Sequence, residues 1–158
     1  MTLDFFEQLR RNVERFPDRV AMQAITDAGR ETFTYRQIAG EVRKTGEFLA
    51  RAGVRPGDAA GILMESHPRW GMSFLAIQSA GGVVVPLDIL HDKETLAGLI
   101  EHSGCRFLIV SRRLLPTLES VQGLLAQPLP YLIAGDAPVE EGEGPLPLIQ
   151  RSLDDVLM

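Results

Sequence analysis

FLAIQSAGGVVVPLD (Phe74–Asp88) decides the fold. Its first half is apolar on nearly every side of a helix. Its second half, after Gly81-Gly82, is the β-branched run Val83-Val84-Val85, closed by Pro86-Leu87-Asp88. A strand with no polar alternation is buried on both faces, and such strands belong to parallel sheets. Working outward, the pattern repeats. Ala59–Met64 reads as a buried strand. Pro68–Ala80 reads as the helix after it, with Pro68 in the first turn, where a missing N–H costs little. Trp70, Met72, Phe74, Leu75 and Ile77 make that helix apolar nearly all round, which predicts a well-buried element. On the other side come a helix over Asp92–His102 with Asp92 as N-cap, and a strand over Arg106–Val110. A helix over Arg112–Ala126 carries Leu114, Leu118, Val121 and Leu125, and a strand over Leu129–Ala134 follows. The expected fold class is α/β: a parallel sheet covered by helices on both faces, with right-handed crossovers.

A helix and a β-hairpin precede this unit. Phe6, Leu9, Val13 and Phe16 form one stripe of a helix over Leu3–Phe16, ended by Pro17; the stripe is expected to dock on the chain's own domain. Val20–Thr26 and Glu31–Thr34 flank Asp27-Ala28-Gly29-Arg30, a hairpin signal. Thr34-Tyr-Arg-Gln37 is a capping box. The helix it opens carries Tyr35, Ile38, Val42 and Leu49 inward and runs to about Ala52, with Gly53 as left-handed cap and Val54 as its apolar contact. Residues 1–134 are expected to form the α/β unit. A Gly/Pro/Glu-rich linker is expected over 135–147 and a short terminal segment over 148–158, in which Ser152 caps a helix over Leu153–Leu157.

Composition removes several function classes. The 158 residues are 45% hydrophobic and 23% charged, as in an ordinary soluble domain. Sixteen Lys+Arg against 21 Asp+Glu give a net charge of −5, and the basic residues come singly or as the doublets Arg10-Arg11, Arg43-Lys44 and Arg112-Arg113. A nucleic-acid surface needs a clustered basic stripe, so no nucleic acid is expected as partner. Cys105 is the only cysteine, which excludes a disulfide framework and fits a reducing compartment. No signal peptide and no run near the ~20 apolar residues of a membrane span is present. The expected location is cytoplasmic.

Nucleotide and catalytic signatures are absent from the sequence: no G-x-x-x-x-G-K-[ST] loop, no G-x-G-x-x-G after a strand, no G-x-S-x-G elbow. His67, His91 and His102 lack metal-ligand spacing and read as loop or helix-surface residues. Gly81-Gly82 precedes a strand rather than a helix, so it is a cap and a relief of crowding, not a phosphate cradle. Asp88 follows a strand's carboxyl end, where ligands of open parallel sheets bind; its simpler reading is a turn.

The motifs occur in an order that resembles the adenylate-forming superfamily of acyl-CoA synthetases, amino-acid adenylation domains and beetle luciferases. ERFPDRVAM (Glu14–Met22) is similar to the family's entry, FTYRQI (Phe33–Ile38) to its first core motif, and GVRPGDAAGILMESHPRW (Gly53–Trp70) with FLAIQSAGGVVVPLD to its second region. HDKETLAGLIEHSGCRFLIVS (His91–Ser111) resembles the next helix–strand unit, and SLDDVL (Ser152–Leu157) the segment ahead of the nucleotide loop. Met64-Glu65-Ser66-His67 departs from the pattern, which often has Asn after this strand. The resemblance implies a parent that joins a carboxylic acid to AMP with ATP and Mg²⁺, then passes the acyl group to a thiol, usually coenzyme A. The chain start and the Pro68-Arg69-Trp70 helix look closer to fatty-acyl-CoA ligases than to amino-acid adenylation domains, which implies a fatty acid.

The family handles ATP with a Ser/Thr/Gly-rich loop carrying a Lys, an Asp for the ribose and a Lys from a mobile C-terminal domain. All are expected after Met158, so no catalytic, cofactor-binding or metal-binding residue is assigned within the chain. By itself it is expected to be inactive and to bind no cofactor tightly. Its partners would be the rest of the parent and, through exposed apolar surface, a second copy. A stand-alone, non-catalytic binding module on the same fold is the competing reading. A receiver-like signalling domain is disfavoured, since neither Met64-Glu65-Ser66 nor Val110-Ser111-Arg112 supplies its acidic residues.

Overall fold

The structure, a computed structural model, describes residues 5–134. The expected linker over 135–147 and terminal helix within 148–158, like the first residues of the opening helix, lie outside the described residues. The chain forms α1 (Phe5–Arg15), β1 (Val20–Thr26), β2 (Gly29–Thr34), α2 (Tyr35–Arg51), β3 (Ala59–Leu63), α3 (Pro68–Ser79), β4 (Val83–Leu87), α4 (Lys93–Ser103), β5 (Cys105–Ser111), α5 (Leu115–Gln122) and β6 (Tyr131–Ala134). β1 and β2 make the antiparallel hairpin. β4-β3-β5-β6 make a four-stranded parallel sheet.

Helices cover both faces of that sheet. On one face Leu96 and Ile100 of α4 and Leu118 and Val121 of α5 pack on Leu63, Leu108 and Val110. On the other, Leu49 of α2 and Ala76 and Ile77 of α3 pack on Ala60, Ile62, Phe107 and Ile109. Strand alternation sorts these side chains to opposite faces. Cys105 breaks the alternation. The register slips between Ala59↔Cys105 and Ala60↔Phe107, so Arg106 is the extra residue of a bulge. Cys105 thereby joins Leu108 and Val110 on the α4–α5 face.

The helix termini follow the sequence closely. Thr34 Oγ1 accepts from Gln37 N at 3.3 Å while Gln37 Oε1 accepts from Thr34 N at 2.8 Å, which completes the capping box. At the other end of α2, Gly53 has φ +97, Gly53 N donates to Ala50 O and Val54 N donates to Leu49 O at 3.0 Å. These are the paired bonds of a Schellman motif, with buried Val54 as its apolar contact. Asp92 Oδ1 accepts from Thr95 N at 2.7 Å and caps α4. That hydrogen bond holds the Asp92 carboxyl below the usual carboxylate range.

Three expectations need correction. The helix expected over Arg112–Ala126 is a 3₁₀ turn, Arg112–Leu114, followed by the short α5. Pro116 has no N–H to return to the carbonyl of Arg112, so α geometry starts beside it. At the far end Gly123 caps the helix, and Leu124 and Leu125 close tight turns onto Val121 and Gln122. The second correction concerns α3. It buries only Arg69, Met72, Ser73, Ala76 and Ile77, while Trp70, Phe74 and Leu75 are half-buried. Third, β4 is an edge strand with Val83 exposed. Pro86 suits that position because an edge leaves one row of N–H groups without a partner strand.

α1 docks on its own domain, as its stripe requires. Phe6 and Leu9 pack against Phe33, Ile38, Val42 and Met72. Phe16 leaves the stripe and lies exposed under the guanidinium groups of Arg15 and Arg19.

α2 and α3 approach closely at Gly46. A methyl group there would overlap Ser79 Oγ and stand 3.2 Å from Ala76 O. On the same helix a methyl at Gly40 would meet nothing within 4 Å. Gly46→Val is therefore expected to destabilise the protein by about 1–3 kcal/mol through overpacking. Gly40→Ala is expected to stabilise it by roughly 0.5–1 kcal/mol through a less flexible unfolded chain. Urea denaturation of the two variants checks the opposite signs.

Candidate functional site

The four parallel strands end in one register row, Leu87↔Leu63↔Val110↔Ile133. Ligands of open parallel sheets bind beyond such a row. A cleft of about 500 Å³ opens there, lined by the segments 64–67 and 87–90 and by Trp70. Trp70 stacks on Phe74, with ring centroids 5.7 Å apart, and forms one wall. Leu90 is 87% exposed on the opposite lip. Asp88, the residue the sequence singles out here, uses Oδ1 to accept from Leu90 N at 2.9 Å. It builds the turn of the lip, as its simpler reading has it.

Two oxygens near the row are buried without a hydrogen bond: Glu65 Oε1, just past β3, and Ser111 Oγ, at the end of β5. The cation nearest Glu65 Oε1 is Arg113 Nε at 3.9 Å, too far for a hydrogen bond. Buried oxygens of this kind are few in folded proteins and call for a partner.

Beside the cleft lies a polar junction that sequence reasoning missed. Arg69 is buried where α2, α3 and the hairpin meet. Its Nη1 donates to Glu41 Oε2 at 2.8 Å, its Nη2 stands 3.9 Å from Glu31 Oε1, and its guanidinium lies over the Phe33 ring. His67 Nδ1 accepts from Arg69 N at 3.2 Å and caps α3. That leaves Nε2 as the donor to Glu31 Oε2, 3.2 Å away. His67 is thus a cap and a tie to the hairpin, not a surface residue. Its signal was present in the sequence: Arg69 shares a helix face with Met72, Ser73 and Ala76 at spacings of three, four and seven.

The other residues named from the sequence are structural. A methyl at Gly81 would crowd Pro56 at 3.1 Å, and one at Gly82 would come within 2.8 Å of Ile77. Cys105 is buried, and desolvation pushes its thiol up, away from a reactive thiolate. His91 and His102 are exposed. Thr34, His67 and Asp92 close the N-termini of α2, α3 and α4 with their own side chains, so those N–H groups do not converge on a phosphate. Among the described residues no three His, Cys, Asp or Glu side chains group as metal ligands. No described helix is long and apolar enough to cross a membrane.

The sequence model of the AMP-binding enzyme family matches residues 9–149. The chain belongs to the AMP-binding enzyme family. Among its relatives is a linear gramicidin synthase of Brevibacillus parabrevis, 32% identical over 105 residues, a match that spans 66% of this chain and 2% of the synthase polypeptide. Among solved structures it is similar to an anthranilate CoA ligase in complex with anthranoyl-AMP, at 27% identity and a TM-score of 0.70, over 80% of this chain and 24% of that one. A putative long-chain-fatty-acid CoA ligase from Rhodopseudomonas palustris shares the fold, with a TM-score of 0.68 over 87% of this chain and 33% of that one. The chain therefore spans a small part of these AMP-binding relatives, and its α/β layers match one region of them.

The junction yields a test of what fixes this edge. Arg69→Met strands Glu41 and Glu31 together and is expected to cost about 1–3 kcal/mol, between an exposed ion pair and a fully buried one. Adding Glu41→Gln to that variant should restore part of the loss. A double-mutant cycle by urea denaturation reads this coupling, and strict additivity would show that the pair does not hold the junction.

Proposed function

We propose that this chain is the N-terminal part of an ATP-dependent acyl-activating enzyme. In the reaction a carboxylate oxygen attacks the α-phosphorus of ATP, the bond to the β-phosphate oxygen breaks, and acyl-AMP and pyrophosphate form. A thiol then attacks the acyl carbon and AMP leaves. The observation that carries the reading is the family match over residues 9–149. The similarity to a ligase solved with its acyl-adenylate supports it.

Within that reaction we assign a fatty acid as the acid and coenzyme A as the acceptor. Support comes from the Pro68-Arg69-Trp70 helix and the chain start, which resemble fatty-acyl-CoA ligases. An amino acid is the second reading, favoured by the 32% identity to the linear gramicidin synthase.

The groups that handle ATP and Mg²⁺ are proposed to belong to the parent outside residues 1–158. The part played by this chain is architectural: it presents the carboxyl edge of its sheet to the rest of the enzyme. The cytoplasm is the proposed location, and the remainder of the parent the proposed partner.

Acid-dependent exchange of labelled pyrophosphate into ATP tests the assignment. The 158-residue chain alone is expected to give none. The longer gene product is expected to give exchange with fatty acids above that with amino acids. Exchange by the chain alone would overturn the architectural role, and none by the longer product with any acid would favour a non-catalytic module.

A further inference from the structure

We propose that the outer edge of β1 is a self-pairing surface: it joins the same edge of a second copy of this chain, antiparallel about a two-fold axis, so that the two hairpins make one sheet.

Backbone hydrogen bonding points to this edge. Thr26 pairs with Gly29 across the turn Asp27-Ala28, and Ala24↔Glu31 and Met22↔Phe33 follow at alternate positions. In an antiparallel ladder only alternate residues bond to a given neighbour. The N–H and C=O groups of Gln23 and Ile25 therefore point away from β2, and neither residue makes a backbone bond outside the hairpin. β1 reads VAMQAIT, with no charge, proline or glycine. Ile25 is 81% exposed. Such an edge is a template for another strand unless a charge, a proline or a bulge guards it.

β2 and β4 are guarded in these ways. β2 carries Arg30 and Glu31. In β4, Val83 N donates to Asp58 O, so Val83 and Val85 turn their amides to β3. Pro86 then stands on the outer edge, where it has no N–H to offer. The bulge of β1 lies at its start, between Val20 and Met22, and leaves Gln23 to Thr26 in regular register.

Charge selects a second copy as the occupant. Arg19 at the base of β1 and Asp27 at its tip are exposed, and neither makes an ion pair with a described residue. Antiparallel pairing with the axis at Ala24 sets Gln23 of each copy against Ile25 of the other, each pair exchanging both N–H···O bonds. The Asp27 tip of each hairpin then meets the Arg19 base of the other, so opposite charges face each other at both ends. Parallel pairing would set Asp27 beside Asp27. The contact is isologous, the commonest kind between identical chains. A groove of about 410 Å³ beside β1, bordered by residues 22–26 and by Ser66, His67 and Pro68, leaves space for the neighbouring strand's side chains. One short edge buries less than the roughly 1,600 Å² of a standard interface, so the dimer forms at high protein concentration and parts on dilution. This pairing stands whether or not the parent activates acids.

Sedimentation equilibrium of the 158-residue chain, with amide exchange of Gln23 and Ile25 followed at low and high concentration, tests the pairing. The unaltered chain is expected to pass from monomer to dimer, and both amides to gain protection as it does. Ile25→Lys places a charge on the edge and is expected to raise the dissociation constant about tenfold. Asp27→Lys sets a cation against Arg19 and is expected to weaken the dimer too. Adding Arg19→Glu to that variant should recover it, which a loss of folding would not do. Circular dichroism checks that each variant stays folded. A monomer at every concentration would overturn the pairing. A dimer that Ile25→Lys leaves intact would also overturn it, by placing the contact on another surface.

Discussion

The structure depends on β3 being buried on both faces. Ala60, Ile62 and Leu63 are essentially without exposure, and they divide between the two helical layers. A strand with this surface has no stable place in a sheet that faces water on one side. It requires α2 and α3 on one face, α4 and α5 on the other, and a parallel neighbour on each edge. The hairpin and α1 are added to the α2–α3 layer through Phe33, Ile38, Val42 and Met72. With Phe6, Leu9 and Met22 they form a third apolar cluster beside that layer.

The position of β3 also explains where the polar features collect. Parallel strands end together, so Glu65, Asp88 and Ser111 come to one edge although the first and last lie 46 positions apart. The same edge bears the cleft, the arginine doublet and the exit of the chain from β6. At the opposite end the segments meet in tight turns. Gly57 N donates to Gly81 O, and Val83 N to Asp58 O, at 2.9 and 2.8 Å. One end of the sheet is thus closed by backbone bonds, while the other presents side chains with unused hydrogen-bonding capacity. The chain spans 24% and 33% of two of the AMP-binding relatives with solved structures.

Much of the fold was legible because its signals are local. The capping box at Thr34 and Gln37, the Gly53 cap and the Asp92 cap each involve residues within a few positions of one another. The strands over Ala59–Leu63 and Cys105–Ser111 declared themselves by continuous apolar runs. The misreadings came where one signal outweighed another. Within Val83–Leu87 only Pro86 marks β4 as an edge strand, and the continuous run of valines outweighs it. The split of the last helix was available in Pro116, whose effect was outweighed by the spacing of Leu114, Leu118 and Val121. The candidate site was the least legible part. Arg69, Glu31 and Glu41 come from three elements, and no short motif joins them. His67 looked like a loop residue because its partner, Glu31, lies 36 positions away. The family was legible in the order of its motifs, while the acid and its acceptor depend on groups proposed to lie elsewhere in the parent.

Native-state amide hydrogen exchange tests the central role of β3 most directly. Opening free energies rank the parts of a fold by what must come apart to expose them. The amides of β3 and the facing part of β5 are predicted to exchange slowest, with one shared opening free energy equal to that of global unfolding. Those of α1 and the hairpin are predicted to exchange sooner. Protection of α1 or the hairpin outlasting that of Gly61 and Ile62 would contradict a fold built outward from a strand buried on both faces.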